Sequence, residues 1–337
     1  MSNLNDLTAL ALPSGNRLVA DETASRLSLS LEGQPLIELR LTRDPELRLR
    51  LEERFGRPEG QAFWTACYWL FARDAECQHL TWHLDEAPTE ALLSGLLIPT
   101  DVNGQYRCER TLFWQLPQPW LGESLTGSYP QQMVISGGKR HPLRAMKPRG
   151  EVYRRFDARL GAWVSLRTVE IEHDLARFNR WQNSPRVASF WQEEGSLEQH
   201  REYLSKLEAD PHTLTLIGCF DDQPFAYFEA YWAKEDRIAP FYDAGDYDRG
   251  IHMLVGEEHH RGPHKVASWL SALVHYLFLD DPRTQRVVAE PRADNAKMIG
   301  HMHNQCFHCE KEFDFPHKRA ALMVLGRERF FDRCALA

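Results

Sequence analysis

The chain has 337 residues, of which 43% are apolar and 26% charged, with a formal net charge of −8. This is the profile of a globular protein long enough for two ordinary domains, and the negative balance argues against a general nucleic-acid binder, which needs a basic face. No apolar run approaches the roughly 18–20 residues that span a bilayer, and the first residues lack the basic-then-apolar pattern of a signal peptide, so no membrane partner is expected. Seven cysteines without a pairing pattern (Cys67, Cys77, Cys108, Cys219, Cys306, Cys309 and Cys334) predict reduced thiols and a cytoplasmic location.

Residues 26–41 read as two strands around a turn at Glu32–Pro35. Phe63, Cys67, Leu70 and Phe71 recur at helical spacing. A short strand at 80–84, a helix from Thr89 and a strand over 106–116 complete this part. The stretch 137–155 mixes glycine and proline with seven basic residues. It reads as a connection between domains, either simply solvated or lending charge to a coenzyme phosphate. A first lobe over 1–150 and a second domain over 151–337 follow from this reading. In the second, helices are predicted over 175–191 and 197–207. Strands follow over 213–219 and 225–232, then a strand at 250–255, a helix over 266–279, a strand at 286–290 and a helix over 295–304. Strands near 307–313 and 320–325 end the domain. The order suits an α/β fold, a mixed sheet layered by helices.

Five stretches of the second half occur in one order: Phe225–Asp236, Asp248–Gly256, Arg261–His264, Glu290–Asn295 and Phe313–Ala320. On these, residues 165–332 resemble the GNAT superfamily of acyl-coenzyme A-dependent transferases. Within it they are similar to the branch that makes hydroxamate siderophores by acylating N-hydroxylated lysine or ornithine. The resemblance implies a C-terminal GNAT fold, an acyltransferase activity, acetyl-coenzyme A or another acyl-coenzyme A as cosubstrate, and no metal. The first lobe shows strand, helix, strand, helix, strand, part of such a fold. It is read as a degenerate GNAT-like lobe without a phosphate loop, with an unrelated cap as the alternative.

The resemblance also distributes roles. The amides near Leu254 and Val255 would stabilise the oxyanion formed on the thioester. Gly256, Arg261, Gly262, His264 and Lys265 would hold the pyrophosphate where a helix begins, and Asn295 would serve the pantetheine arm or cap a helix. The family's loop carries a small residue where His264 stands, a departure that puts the loop geometry in question. His252 and Asp294 map onto the family's catalytic pair. Tyr231, Trp232, Asp236, Arg237 and Arg249 are the candidates for binding the acceptor, whose carboxylate and ammonium suit paired Arg and Asp. Two other readings remain open. The acceptor is an ordinary amine, an aminoglycoside or a peptide; or the histidines at 259, 260, 264, 301 and 303 with Cys306 and Cys309 bind a metal in a protein that is not an enzyme.

Overall fold

The computed structural model describes residues 8–43, 46–56, 58–121, 131–333 and 336. It divides into two compact units. The first comprises Met1–Pro119, Arg155–Ala162 and Ala335–Ala337; the second comprises Trp120–Arg154 and Trp163–Cys334.

The first unit contains β1 (Ala9–Ala11), β2 (Arg17–Glu22), β3 (Arg26–Leu31), β4 (Gln34–Thr42), β5 (Arg48–Arg54), α1 (Glu59–Arg73), β6 (His79–His83), α2 (Glu90–Leu93), β7 (Ile98–Pro99), β8 (Gln105–Glu109) and α3 (Arg110–Phe113). Its eight-stranded sheet runs β1-β2-β3-β4-β5-β6-β8-β7, antiparallel except for β5 with β6. Alternation sorts the faces: Leu39, Leu41 and Leu49 are buried, while Arg40, Thr42, Arg48 and Arg50 are exposed between them. Phe63 of α1 packs on Trp82, with ring centroids 4.6 Å apart. The strand expected over 106–116 ends at Glu109. Arg110 is buried there, donates to the carbonyls of Phe71 and Asp74, and starts a helical turn.

The second unit opens with a hairpin of β9 (Met133–Ser136) and β10 (Lys139–Pro142), the second strand of which lies in the stretch 137–155 read as a connection. It is anchored rather than loose. Arg144 forms a two-bond ion pair with Glu235 at 2.6 Å, and Lys139 donates to the carbonyls of Glu235 and Asp236. Then follow β11 (Glu151–Asp157), β12 (Ala162–Thr168), α4 (Ile171–Gln182), α5 (Pro185–Trp191), α6 (Leu197–Ala209), β13 (Thr213–Phe220), β14 (Gln223–Trp232), β15 (Arg249–Val255), α7 (Pro263–Asp280), β16 (Arg286–Ala289), α8 (Ala296–Asn304), β17 (His308–Asp314), β18 (Arg319–Gly326) and α9 (Arg327–Arg333). The single helix expected over 175–191 is two, because Pro185 cannot continue a helix and instead starts the next. The sheet runs β11-β12-β13-β14-β15-β16-β18-β17, and its one parallel pair is β15 with β16. β14 is aromatic and buried along nearly its whole length, as a strand covered on both faces must be. One face carries a core of Leu175, Phe178, Trp181, Leu204, Tyr227 and Leu254 under α4 and α6. On the other, Trp269 of α7 stacks on Phe228 at 5.2 Å.

The two sheets repeat one strand order, with one helix between the parallel strands and another after the third strand from the end. The repeat extends to side chains. Arg110 donates to the Phe71 carbonyl at 2.9 Å and lies 5.6 Å from the Phe71 ring. Arg327 donates to the Phe278 carbonyl at 2.7 Å and lies 5.6 Å from the Phe278 ring. Three and four residues later stand Phe113–Trp114 and Phe330–Phe331, each pair edge-to-face at 5.1 Å. With Arg110 matched to Arg327, the ladder Cys108↔Leu80 matches Leu325↔Val287. Carried across the parallel pair, Thr81↔Arg48 then matches Val288↔Gly250.

Candidate active site

β15 and β16 are hydrogen-bonded neighbours only at Arg249↔Val287 and Gly250↔Val288. β15 then runs on to Val255 beside β14 alone, so the two parallel strands open into a fork. His252 sits inside this fork. Its Nδ1 is 2.8 Å from Glu229 Oε2 on β14, its cross-strand partner, and its Nε2 is 2.6 Å from Glu290 Oε1, just past the end of β16. Both carboxylates are buried. Tyr203 and Tyr227 donate to Glu229 at 2.5 and 2.9 Å; Tyr231 donates to Glu290 at 2.6 Å and lays its ring 4.8 Å from the imidazole.

Two buried carboxylates without a cation would cost several kcal/mol each. The imidazole resolves this by holding a proton on each nitrogen. Burial alone would lower the His252 pKa, but Glu290 and Glu229 outweigh it and raise it to about 10. Burial likewise opposes the charge on Glu290 and Glu229, and the imidazolium with the tyrosine hydroxyls pulls both below the ordinary carboxylate range. The cluster at neutral pH is one imidazolium between two carboxylates, with one net negative charge.

Two basic groups stand beside Glu290. Arg237, 52% exposed, stands 4.0 Å from Glu290 Oε1. Lys318 donates to the Glu290 carbonyl at 2.7 Å, and both cations lie over the Phe315 ring.

At the other end of the fork, Gly256 closes on Phe225: its amide and that of Glu257 donate to the Phe225 carbonyl. A Cβ on Gly256 would fall 2.1 Å from the Trp181 ring, so only glycine lets α4 approach this strand end. Arg186 donates to the carbonyls of Val255 and Gly256. Gly262 caps α7 at φ +125°, a conformation reserved for glycine, and α7 begins with Pro263, His264 and Lys265. His264 turns its ring over Gly262 instead of intruding further into the loop. Lys265 contacts the His259 carbonyl and the His260 ring. Burial, with Lys265 and His259 beside it, lowers the His260 pKa to about 4, so that ring is neutral. A free helix N-terminus with Arg261 and Lys265 nearby is a place for a phosphate.

The sequence-predicted residues separate accordingly. Tyr231 and Arg237 join His252. Leu254 has its side chain in the core and, by the alternation that the Gly256 amide sets in donating to Phe225, its own amide turned to β14; Val255, whose carbonyl accepts from Arg186, turns its backbone away from β14. Asn295 caps α8 through Met298 N at 3.2 Å. Asp294 does not approach His252. It is exposed and paired with Arg292 at 2.7 Å, so the carboxylate beside the imidazole is Glu290, four residues earlier. Trp232 and Arg249 pair across β14 and β15 on the face opposite His252. There the Arg144 and Arg249 guanidiniums stand over Trp232 at 4.1 Å each, and Arg249 bonds Asp280 at 2.9 Å. Asp236 turns inward, accepting from the Ile238 amide near His212. Among the described residues no group of three His, Cys, Asp or Glu could hold a metal. Glu229 was legible in principle, as one acid inside an aromatic strand must have a buried partner.

Residues 170–315 match a family model described as an acetyltransferase (GNAT) domain. The N(6)-hydroxylysine O-acetyltransferase of Escherichia coli is 45% identical over 229 residues, covering 67% of this chain and 72% of that protein. The N(5)-hydroxyornithine:cis-anhydromevalonyl coenzyme A-N(5)-transacylase of Beauveria bassiana is 51% identical over 201 residues, covering 58% of this chain and 44% of that one. Among solved structures, an uncharacterized protein of Bacillus halodurans is similar at TM-score 0.52 and 29% identity, over 54% of this chain and 93% of its own.

Proposed function

Because this chain belongs to the GNAT acetyltransferase family, we propose that it transfers an acyl group, acetyl by default, from coenzyme A to an N-hydroxylated diamino acid such as N6-hydroxylysine or N5-hydroxyornithine, making a hydroxamate for a siderophore. The observation that carries this reading is His252 held at 2.8 and 2.6 Å between the buried carboxylates of Glu229 and Glu290. An ordinary alkyl amine is an ammonium near neutral pH, with a pKa of about 10.4, and needs a strong base before it can attack. A hydroxylamine is already neutral. It attacks the thioester first, and the adduct's nitrogen is then acidic enough for a weak carboxylate to take its proton.

In this reading the acyl thioester lies in the fork and the amide of Val255 faces its oxygen, while that of Leu254 is turned to β14. Once the C–N bond has formed, Glu290 takes the proton from the adduct's nitrogen, and His252 steadies the oxyanion's charge. The cluster returns one proton to the coenzyme A thiolate as the C–S bond breaks, so it ends as it began. Arg261, Gly262, His264, Lys265 and the first turn of α7 hold the pyrophosphate. Arg237 and Lys318 receive the acceptor's carboxylate. The relatives' names mention a hydroxylysine and a hydroxyornithine, which supports the acceptor class and leaves the chain length to experiment. A reducing compartment such as the cytoplasm is the proposed location, on the unpatterned spacing of the seven cysteines. No described helix is long and apolar enough to cross a membrane.

The test is coenzyme A release from acetyl-coenzyme A with each hydroxylated amino acid and with its unhydroxylated parent, the products identified by mass spectrometry. Turnover restricted to a hydroxylated acceptor is expected. Equal turnover of lysine or ornithine would refute the acceptor class.

A further inference from the structure

The first unit carries a cleft of 420 Å³ lined by Arg40, Arg48, Arg50, His83, Asn103 and Gly104, with one carboxylate, Asp85, also on its wall. The registers of the two sheets say where this cleft lies. Arg50 is matched to His252. Its cross-strand partner Arg40 is matched to Glu229, and His83, its neighbour on β6, is matched to Glu290. The cleft therefore occupies, in the first sheet, the station that the acid–base cluster occupies in the second, and on the corresponding face, away from the long helix. Its charge differs: Arg40 stands where Glu229 stands, Arg50 where His252 stands, and the His83 imidazole where the Glu290 carboxylate stands.

Those arginines are only partly used. Arg40 pairs closely with Glu52 at 2.6 Å and Arg50 more loosely with Asp85 at 3.2 Å, and both arginine side chains are more than half exposed. Arg48 makes no ion pair among the described residues. Gly104 takes φ +72°, and a Cβ there would stand 3.0 Å from the Leu84 carbonyl, so the loop bearing Asn103 is drawn tightly against the end of β6 as a wall. Three guanidinium forks, an imidazole and an amide converging on a cavity of ligand size form a receptor for planar or tetrahedral oxyanions.

We propose that the first unit binds a small polyanion in this cleft, a di- or tricarboxylate or a phosphate, through Arg48 and Arg50 with Arg40 and His83 at its sides. The proposal does not depend on the acyl transfer assigned to the second unit.

The test is calorimetry on the full chain with citrate, inorganic phosphate and pyrophosphate in turn. Coenzyme A is present at saturation to fill any phosphate site in the second unit, and acetate serves as the singly charged control. One polyanion is expected to bind one-to-one, and to bind about tenfold or more weakly in Arg48→Ala/Arg50→Ala, with acyl transfer unchanged. Citrate alone would identify a carboxylate ligand, the phosphates alone a phosphate ligand. If the double variant is less stable, Arg48→Ala, which breaks no described ion pair, carries the comparison. Absence of binding by all three, or equal binding to wild type and variants, would overturn the proposal.

Discussion

The two units share a strand order and an anchoring cluster, yet only the second has the parts of an acyltransfer site. Three local changes separate them. The parallel strands β5 and β6 stay paired through Leu49↔Trp82 and Arg50↔His83, where β15 and β16 have already parted. With no fork there is no slot for a thioester. The helix between the parallel strands is 15 residues in the first unit and 18 in the second. Aligned at Phe71 and Phe278, the missing turn is the N-terminal one, and Glu59 stands in the first turn of α1, repelling any phosphate. Finally, α4, α5 and α6, which cover one face of the second sheet, have no counterpart between β2 and β3, where residues 23–25 suffice. A fold of this kind is held together by its anchors and made reactive by a few residues at one fork.

The contrast breaks most readily at the imidazole. Glu290→Gln or His252→Ala should lower turnover by about 10²–10⁴-fold, with little change in coenzyme affinity, in steady-state assays; loss of less than tenfold in both would place the chemistry elsewhere. Next is pH. Since the His252 pKa is raised, its charge is retained through neutrality and lost as pH rises through about 10. Turnover should therefore show no rising limb near 6.5 and should decline above about pH 10, approaching tenfold per unit. The same group's contribution to stability is full below its unfolded pKa of about 6.5 and is lost over that window, while that of Glu290 is lost only as pH falls below about 4.3. A pH series of thermal melts checks both signs.

Gly262→Val should weaken acyl-coenzyme A binding by about tenfold or more, because φ +125° excludes a β-branched residue; an unchanged dissociation constant would move the phosphate site. The shared anchors should behave alike. Arg110→Ala and Arg327→Ala each remove a guanidinium, buried in the first and half-buried in the second, from a carbonyl at a helix end, at a cost of about 1–3 kcal/mol, readable in denaturant titrations. A large cost in one only would show that the repeat is not energetic. Smallest of all, Asp294→Ala should change turnover by no more than about twofold, as for an exposed surface pair.

Sequence reading reached much of this. Periodicity located the helix over 266–279 and the strands at 213–219 and 225–232, since strong apolar patterns survive folding. His252 was legible from its setting. β5 was not, because Arg-Leu-Arg-Leu-Glu-Glu-Arg carries few apolar residues for a strand. Asp294 displaced Glu290 in the reading because spacing along the chain cannot say which acid a strand end turns inward. Trp232 and Arg249 were assigned to the acceptor although they lie on the other face; for Arg249 alternation from His252 along one strand already says so, while for Trp232 it takes the register of β14 against β15.

Gly250 has a further consequence. Its cross-strand partner Tyr231 lies across the space a side chain at 250 would occupy: a Cβ would stand 1.9 Å from the tyrosine ring. That ring carries the hydroxyl bonded to Glu290. A single added methyl group would push the tyrosine aside and strip the carboxylate of its neutral donor without altering any titratable residue. The reactivity of the cluster is thus adjustable through volume, and an engineer wishing to retune its proton affinity has a lever at a position with no side chain.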